Sequence, residues 1–223
     1  MCMSCVLVKM TRAMVKAACT GCSAQVSDRA VVLTEGLQLT TLVVMERYRI
    51  HADGALYYCT FSVVDWLPVF IGERPCQIVA DSLAFCHQQK QLGIDSFVIM
   101  PTHLHLIVFD REWKSKRLQQ TLTDFRKFSG RKLAQFCLDA MPPCFGASLK
   151  AAAGDDREHR FWQPTRHPEF IETEKFHNQK RDYLHDNPRR KGLVAHPSHW
   201  RWSSSLWYES GETCDVPITP VMW

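Results

Sequence analysis

Two histidines separated by one leucine, His103 and His105, lie in an apolar run that is typical of a β-strand. Residues i and i+2 of a strand share a face, with Cα atoms ~6.6 Å apart, so the two imidazoles can converge on one cation. Leu104, between them, is expected to face a core. An ordinary solvated strand face is the alternative for so short a motif. The spacing therefore predicts either a two-histidine metal site or an exposed strand face.

A tyrosine and an asparagine four residues apart, Tyr183 and Asn187, occur later in the chain. This spacing places both side chains on one helix face. A tyrosine hydroxyl can act as a covalent nucleophile, and the amide oxygen of Asn187 would be a natural third ligand beside two histidines. Mg²⁺ and Mn²⁺ accept oxygen and nitrogen ligands of this kind, with water completing the shell. A buried tyrosine and a helix-ending asparagine are the alternative interpretation.

Basic charge is concentrated in two windows, although the net charge of the whole chain is only +4. Residues 111–132 contain eight Lys/Arg and two Asp/Glu, and residues 174–201 contain seven Lys/Arg and three Asp/Glu. Together these windows carry +10, which leaves −6 for the remainder. They predict a surface for phosphates and bases, with solvated helix faces as the alternative. The candidate DNA contacts are Arg126, Lys127, Arg131, Lys132, Arg189 and Arg190.

The composition indicates a folded domain with a sizeable core. The chain has 223 residues, of which 46% are hydrophobic and 11% aromatic, and this excludes a disordered or collagen-like protein. The apolar runs are shorter than the ~20 residues that cross a bilayer, and basic residues interrupt the N-terminal region, so neither a membrane span nor a signal peptide is predicted. We therefore expect a cytoplasmic protein. No G-x-x-x-x-G-K motif occurs, so no ATP site is expected.

Residues 1–44 differ from the rest of the chain, because they contain four cysteines and no aromatic residue. Cys2 and Cys5 form one C-x₂-C pair, and Cys19 and Cys22 form another thirteen residues later. Four thiolates at this spacing can close a tetrahedral Zn²⁺ site. A start site assigned too far upstream is the rival explanation. We expect an extension at 1–44, a catalytic domain at 45–208 and a tail at 209–223.

Strand and helix patterns alternate after residue 45. Val, Thr and aromatic residues predict strands at 55–64 and 97–109, and apolar spacing predicts helices at 75–93, 118–138 and 172–186. Gly93 is the expected end of the first helix, and Ser129 with Gly130 is expected to interrupt the second. Residues 141–158 are predicted to be a turn-rich surface insertion. This order favours an α+β sandwich.

Several segments, taken together and in order, resemble a known family. VIMPTHLHLIV (98–108) resembles the metal-binding strand of the HUH single-tyrosine transposases. RDYLHDNPRRKGLV (181–194) and HPSHWRWSS (196–204) resemble the nucleophile helix and tail of the REP-associated tyrosine transposase branch. YRIHADGALYYCTFSVVDWLPVF (48–70) is similar to the first strand of that branch, and FWQ (161–163) to its pre-helix segment. Thr102 stands where the family usually has an asparagine.

The resemblance implies a ferredoxin-like sandwich, in which an antiparallel sheet carries helices on one face. It implies that His103 and His105 are metal ligands, with Asn187 as the third, and that Tyr183 is the nucleophile. The expected activity is cleavage and rejoining of single-stranded, hairpin-flanked DNA through a 5′-phosphotyrosine link, with Mg²⁺ or Mn²⁺ and with a homodimer as an open possibility. His185 lies in the same signature without an assigned role. Trp200 and Trp202 match the tail motif, where they would serve packing or base stacking.

Three other functions remain open at this stage. A non-catalytic nucleic-acid-binding regulator on the same fold would not need the hydroxyl of Tyr183. A two-histidine cyclic phosphodiesterase would need two separate His-x-Ser/Thr pairs, of which the sequence shows no convincing set. A zinc-dependent regulator would be built on the N-terminal cysteines.

Overall fold

A computed structural model describes residues 50, 56–155, 157–164 and 168–223 of the chain. All of these residues belong to one unit, Met45–Trp223. The candidate zinc ligands Cys2, Cys5, Cys19 and Cys22, and with them the whole predicted extension, lie outside the described residues.

The described elements alternate strands and helices. In chain order they are β1 (Leu56–Ser62), a 3₁₀ turn (Val64–Trp66), α1 (Glu73–Gln89), β2 (Leu92–Met100), β3 (His103–Asp110), α2 (Ser115–Ala140), α3 (Pro143–Ala151), β4 (Glu169–Phe170), α4 (Glu174–Arg190), a second 3₁₀ turn (Pro197–His199) and α5 (Ser205–Ser210). The strands form one sheet in the order β2-β3-β1-β4, and every neighbouring pair is antiparallel. This is the ferredoxin-like βαββαβ arrangement, so the predicted fold class is confirmed.

The strand predicted at 97–109 is in fact the core of a hairpin. β2 ends at Met100 and β3 begins at His103, so Pro101 and Thr102 form the turn between them. Both arms are apolar, and a continuous apolar run does not reveal where it folds back.

Gly93 lies inside β2 and does not end α1, which ends four residues earlier at Gln89. Its pairing partner across the sheet is Phe109. A Cβ atom at position 93 would lie 2.4 Å from Cζ of the Phe109 ring. The glycine is therefore explained by an aromatic ring lying directly over the backbone, which a helix-end pattern cannot predict.

Helix α2 runs without interruption through Ser129 and Gly130, contrary to the prediction. The Ser129 hydroxyl donates to the Phe125 carbonyl (2.6 Å) and accepts from Nε1 of Trp162 (3.1 Å). A Cβ atom at Gly130 would lie 3.1 Å from Cδ1 of Trp162. These two small residues let the indole of Trp162 pack closely against an intact helix.

Helix α4 continues past its predicted end to Arg190 and contains Pro188. The proline lies in the last turn and lacks the N–H that would donate to the carbonyl of residue 184, while its own carbonyl accepts from Leu193 N (3.0 Å).

The sheet is apolar on both faces. Alternate residues Leu104, Leu106 and Val108 of β3 share one core with the two long helices α1 and α2. On the opposite face Ile107 packs with Leu184 of α4, which the sequence analysis did not anticipate. Every residue of β2 is buried, and such a strand needs a cover on both sides.

The C-terminal segment covers the outer edge of β2. The Trp202 carbonyl accepts from Ile99 N (2.8 Å), Ser204 N donates to the Phe97 carbonyl (3.0 Å), and Thr219 N donates to the Ile94 carbonyl (2.8 Å). These bonds satisfy backbone groups that an edge strand would otherwise leave open. Among the described helices, none combines the length and the apolar character that crossing a membrane requires.

Candidate active site

The histidine pair, His103 and His105, lies on the face of β3 that α4 partly covers. The two ring centroids are 4.6 Å apart. Antiparallel pairing places His103 opposite Ser62 and His105 opposite Thr60 on β1. The shared face predicted from the spacing of two is therefore present, and both imidazoles face the same space.

Hydroxyl groups surround the Nδ1 atoms of the histidine pair. Nδ1 of His105 lies 2.8 Å from both the Tyr58 and the Thr60 hydroxyls, and Nδ1 of His103 lies 2.9 Å from the Thr102 hydroxyl. A hydroxyl oxygen can accept the Nδ1–H hydrogen, which places the lone pair of each ring on Nε2. Both rings can therefore present Nε2 to a cation.

Both imidazoles are held in the neutral form. Burial lowers the pKa of His105 to about 3, and the charges of His103 and Lys180 act in the same direction. Burial likewise lowers the pKa of His103 to about 4, assisted by the charge of Lys191. A neutral imidazole keeps the lone pair that a metal ion requires, so the pair is suited to ligation at neutral pH.

Helix α4 brings Tyr183 to the histidine pair. The helix begins at Glu174, and the Thr173 hydroxyl caps it by accepting from Phe176 N (3.2 Å). Leu184 anchors the helix in the core beneath the sheet, so the preceding residue faces outward. The Tyr183 ring centroid lies 6.0 Å from that of His105, and the side chain is 42% exposed. The phenol is thus both next to the histidines and accessible to a substrate.

Asn187 lies one helical turn after Tyr183 and is buried. Within the described part of the chain, its side chain takes part in none of the hydrogen bonds at the site. It sits on the same helix as the nucleophile candidate, as the spacing of four predicts. Among the described residues, no group of three or more His, Cys, Asp or Glu side chains is arranged to hold a metal ion.

Three basic side chains lie around the site. The Arg190 guanidinium lies 5.1 Å from the ring centroid of Tyr183, and the Lys180 ammonium lies 4.7 Å from that of Tyr58. Lys191 is close enough to affect the pKa of His103. Arg189, also a predicted DNA contact, pairs with Asp186 through two bonds of 2.5 and 2.9 Å.

The other predicted DNA contacts lie on α2, on the opposite side of the sheet. Arg126, Lys127 and Arg131 line a cavity of about 670 Å³, which we call the basic groove. Arg157 and Arg160, which the sequence analysis did not single out, line it too. Lys132 is not a lining residue of the groove, and its ammonium lies 4.7 Å from the ring centroid of Phe128.

The tail motif has a structural role in the described chain. Nε2 of His185 lies 2.8 Å from the Ser204 hydroxyl, which also accepts from Phe97 N (3.0 Å). Burial lowers the pKa of His185 to about 4. The Trp200 indole donates to the Ile99 carbonyl (2.9 Å). These contacts connect α4 and the C-terminal segment to β2. Nε2 of His185 is used in this packing contact with Ser204.

Comparison with known proteins gives one informative likeness. No protein-family profile matches the sequence, and no curated protein matches it. A solved structure of a REP-associated tyrosine transposase bound to a REP hairpin is 18% identical, covers 80% of this chain and 94% of its own, and superposes with a TM-score of 0.50. The chain has the fold of this tyrosine transposase. A Deinococcus radiodurans protein described as a transposase is 15% identical over 64% of this chain and 97% of its own, with a TM-score of 0.41. At such identities the likeness extends to the transposase fold alone.

Sequence reasoning missed the hydroxyl partners of the histidine pair in this transposase fold. Tyr58 and Thr60 alternate along β1, so a period of two could have placed them on one face. Which residue of β3 they meet depends on strand register, and no residue pattern in β1 specifies it. Thr102 was noted only as a departure from the family pattern, although its hydroxyl contacts His103.

Proposed function

We propose that the chain is a tyrosine transposase-type enzyme that cleaves and rejoins single-stranded, hairpin-flanked DNA. The supporting observation is the meeting of Tyr183, from α4, with the histidine pair of β3 at 6.0 Å between ring centroids. Two distant parts of the sequence thereby contribute a nucleophile and a cation-binding pair to one exposed site.

The histidine pair fits a divalent cation, because both rings are neutral and can present Nε2 on one side. His103, His105 and Asn187 would hold Mg²⁺ or Mn²⁺, which would neutralise charge on the scissile phosphate and orient its oxygens. We propose no zinc site, since its candidate cysteines lie outside the described residues.

In the proposed reaction the Tyr183 oxygen attacks phosphorus and the bond to the 3′ oxygen breaks. The phenol loses its proton, the departing 3′ oxygen gains one, and the 5′ side of the break stays linked to tyrosine. Attack by a 3′-hydroxyl on this phosphotyrosine reverses the step, so the energy of the bond is kept and no ATP is needed. Arg190 places a positive charge beside the ring on which negative charge develops.

The basic groove provides a separate place for DNA phosphates. Arg126, Lys127 and Arg131 belong to α2, whereas Tyr183 belongs to the helix on the other face of the sheet. We propose that the groove holds backbone phosphates away from the point of cleavage. Binding and cleavage would then depend on different residues.

The decisive test is Tyr183→Phe, which removes one hydroxyl. With labelled hairpin DNA carrying a single-stranded flank and with Mn²⁺, we expect the unaltered chain to give a covalent protein–DNA adduct on a denaturing gel. The variant should give none while binding the DNA with unchanged affinity. Tyr208→Phe is the matched control, since its hydroxyl donates to the Asp95 carbonyl (3.1 Å) and is not among the residues at the site.

Two outcomes would reject the assignment. Adduct formation by Tyr183→Phe would show that another residue is the nucleophile. Binding without any cleavage by the unaltered chain, in Mg²⁺ and in Mn²⁺, would favour a non-catalytic nucleic-acid-binding regulator instead.

A further inference from the structure

An exposed tryptophan lies beside the histidine pair, outside the family-like motifs that carry the metal and nucleophile assignments. Trp66 is 55% exposed, and its ring centroid lies 5.9 Å from that of His103, with the two rings nearly perpendicular. A large apolar ring in water contributes nothing to a core. It does, however, present an exposed aromatic face directly beside the histidine pair.

The backbone that carries Trp66 is strained. Asp65 and Trp66 have φ values of 51° and 54°, in the left-handed region that residues other than glycine rarely adopt. Two successive residues in this conformation cost conformational free energy, which the surrounding structure must hold in place. Both residues lie in the turn that places the indole beside His103.

The turn is fixed to the hairpin that carries the histidines. Val63 N donates to the Thr102 carbonyl (3.0 Å), and Phe70 N donates to the Pro101 carbonyl (3.0 Å). Both ends of the strained segment are thus bound to the two residues that precede His103. Trp66 is therefore held in a fixed relation to the histidine pair.

We propose that Trp66 is a stacking platform for one unpaired base next to the scissile phosphate, an inference that rests on the proposed function. An indole face stacks on any base, and an unpaired base has the free face that stacking needs. The positive charges of Arg190 and Lys191 would hold the adjoining phosphates, because Lys191 acts on His103 and Arg190 lies over Tyr183. Trp66 thereby positions the nucleotide and takes no part in bond making.

The test compares two single-stranded probes of equal charge, in chelator and in a Tyr183→Phe background so that no cleavage occurs. One probe is a fluorescein-labelled 12-nucleotide oligothymidylate, and the other is the same backbone with abasic sites throughout. We expect Trp66→Ala to weaken binding of the oligothymidylate by roughly 5- to 150-fold and to leave binding of the abasic probe unchanged. Trp66→Phe should retain most of the affinity, since it retains an aromatic face.

Trp113 offers a matched control. It is 54% exposed with a φ of 58°, but its ring stacks on Phe109 at the other end of β3, 5.1 Å between centroids. Trp113→Ala should bind both probes as the unaltered chain does. Equal losses on both probes for Trp66→Ala, or no loss on either, would overturn the stacking role. Failure of the chain that carries Tyr183→Phe alone to bind either probe would overturn the proposed DNA function as well. A loss on the oligothymidylate alone would support the stacking role even if the unaltered chain forms no adduct with hairpin DNA in Mn²⁺, a result that would reject only the nucleophile.

Discussion

Hydroxyl groups, rather than carboxylates, orient the two imidazoles of the site. Tyr58 and Thr60 both contact Nδ1 of His105, and burial raises the pKa of Tyr58 well above its ordinary value. Tyr58 therefore stays neutral and adds no negative charge to the site. A metal ion here would keep more of its own positive charge for a phosphate than one held by carboxylates.

Removing these hydroxyls should weaken the metal site without dismantling it. For the double variant Tyr58→Phe/Thr60→Val, we expect the Mn²⁺ concentration for half-maximal cleavage to rise about 10- to 100-fold, because the His105 ring loses its fixed orientation. Affinity for single-stranded DNA in chelator should not change. An unaltered Mn²⁺ requirement would contradict the orienting role of the two hydroxyls.

Among single residues, sequence reasoning could place those whose proposed roles depend on local spacing. His103 with His105, and Tyr183 with Asn187, lie within four residues of each other, so period alone predicts their shared faces. It could not find Trp66, because the contact of that ring with His103 depends on a strained turn and on hydrogen bonds between residues 31 and 39 positions apart.

At the scale of elements, one buried carboxylate joins β3 to α2. Asp110 accepts two hydrogen bonds from Arg117, both 2.6 Å, and two from Glu112 N and Lys114 N, both 3.0 Å. Burial opposes ionisation, but these four bonds outweigh it and hold the pKa of Asp110 below its ordinary value. The ionised carboxylate therefore fixes the start of the helix that carries the basic groove.

The pH dependence of stability follows from this depressed pKa. Because the pKa of Asp110 is lowered in the folded chain, the ionised carboxylate stabilises the fold at pH values above its ordinary pKa near 3.8. This stabilisation is lost as the pH falls from that value through the lower pKa of the folded chain. We expect Asp110→Asn to lower the free energy of unfolding by about 2 kcal/mol at pH 7. The difference in unfolding free energy between the unaltered chain and the variant should narrow below pH about 4. Urea unfolding at pH 7, 5 and 3.5 measures this difference. A difference that does not change with pH would contradict the stabilising role of the ionised Asp110.

The type of most helices and strands could be predicted from the sequence, but the residues at which they begin and end could not. Apolar periodicity located α1, α2 and α4, yet it misjudged where they end, because Gly93, Gly130 and Pro188 owe their positions to tertiary contacts or to the last turn of a helix. The hairpin turn after Met100 was hidden by apolar residues on both of its sides.

At the scale of the molecule, positive charge occupies both faces of the sheet. Lys127 and Arg131 are exposed in the basic groove on α2, and Arg190 is exposed on α4. If both faces hold phosphates, basic residues on each face should contribute to the salt dependence of DNA binding. Each side chain that contacts a phosphate should contribute separately to that dependence.

We expect Lys127→Ala and Arg131→Ala each to reduce the slope of log affinity against log salt by about 0.7 for single-stranded DNA. Fluorescence anisotropy between 50 and 300 mM salt measures the slope. Cleavage at saturating DNA should stay unchanged, because neither residue touches the site. Lys116→Ala, an exposed change nearer the start of the same helix, should leave the slope as it is. An unchanged slope in both groove variants would place the phosphates elsewhere.

The strand at one border of the sheet is already occupied by the chain's own C-terminal segment. The outward-facing backbone groups of Ile94, Phe97 and Ile99 in β2 are hydrogen-bonded to that segment. The strand at the other border, β4, is two residues long. Two copies therefore have little free backbone with which to join their sheets into one. A two-fold assembly formed by the described part of the chain would associate through helices or side chains, and its formation would leave the hydrogen-exchange protection of the β2 amides as it is in a single copy.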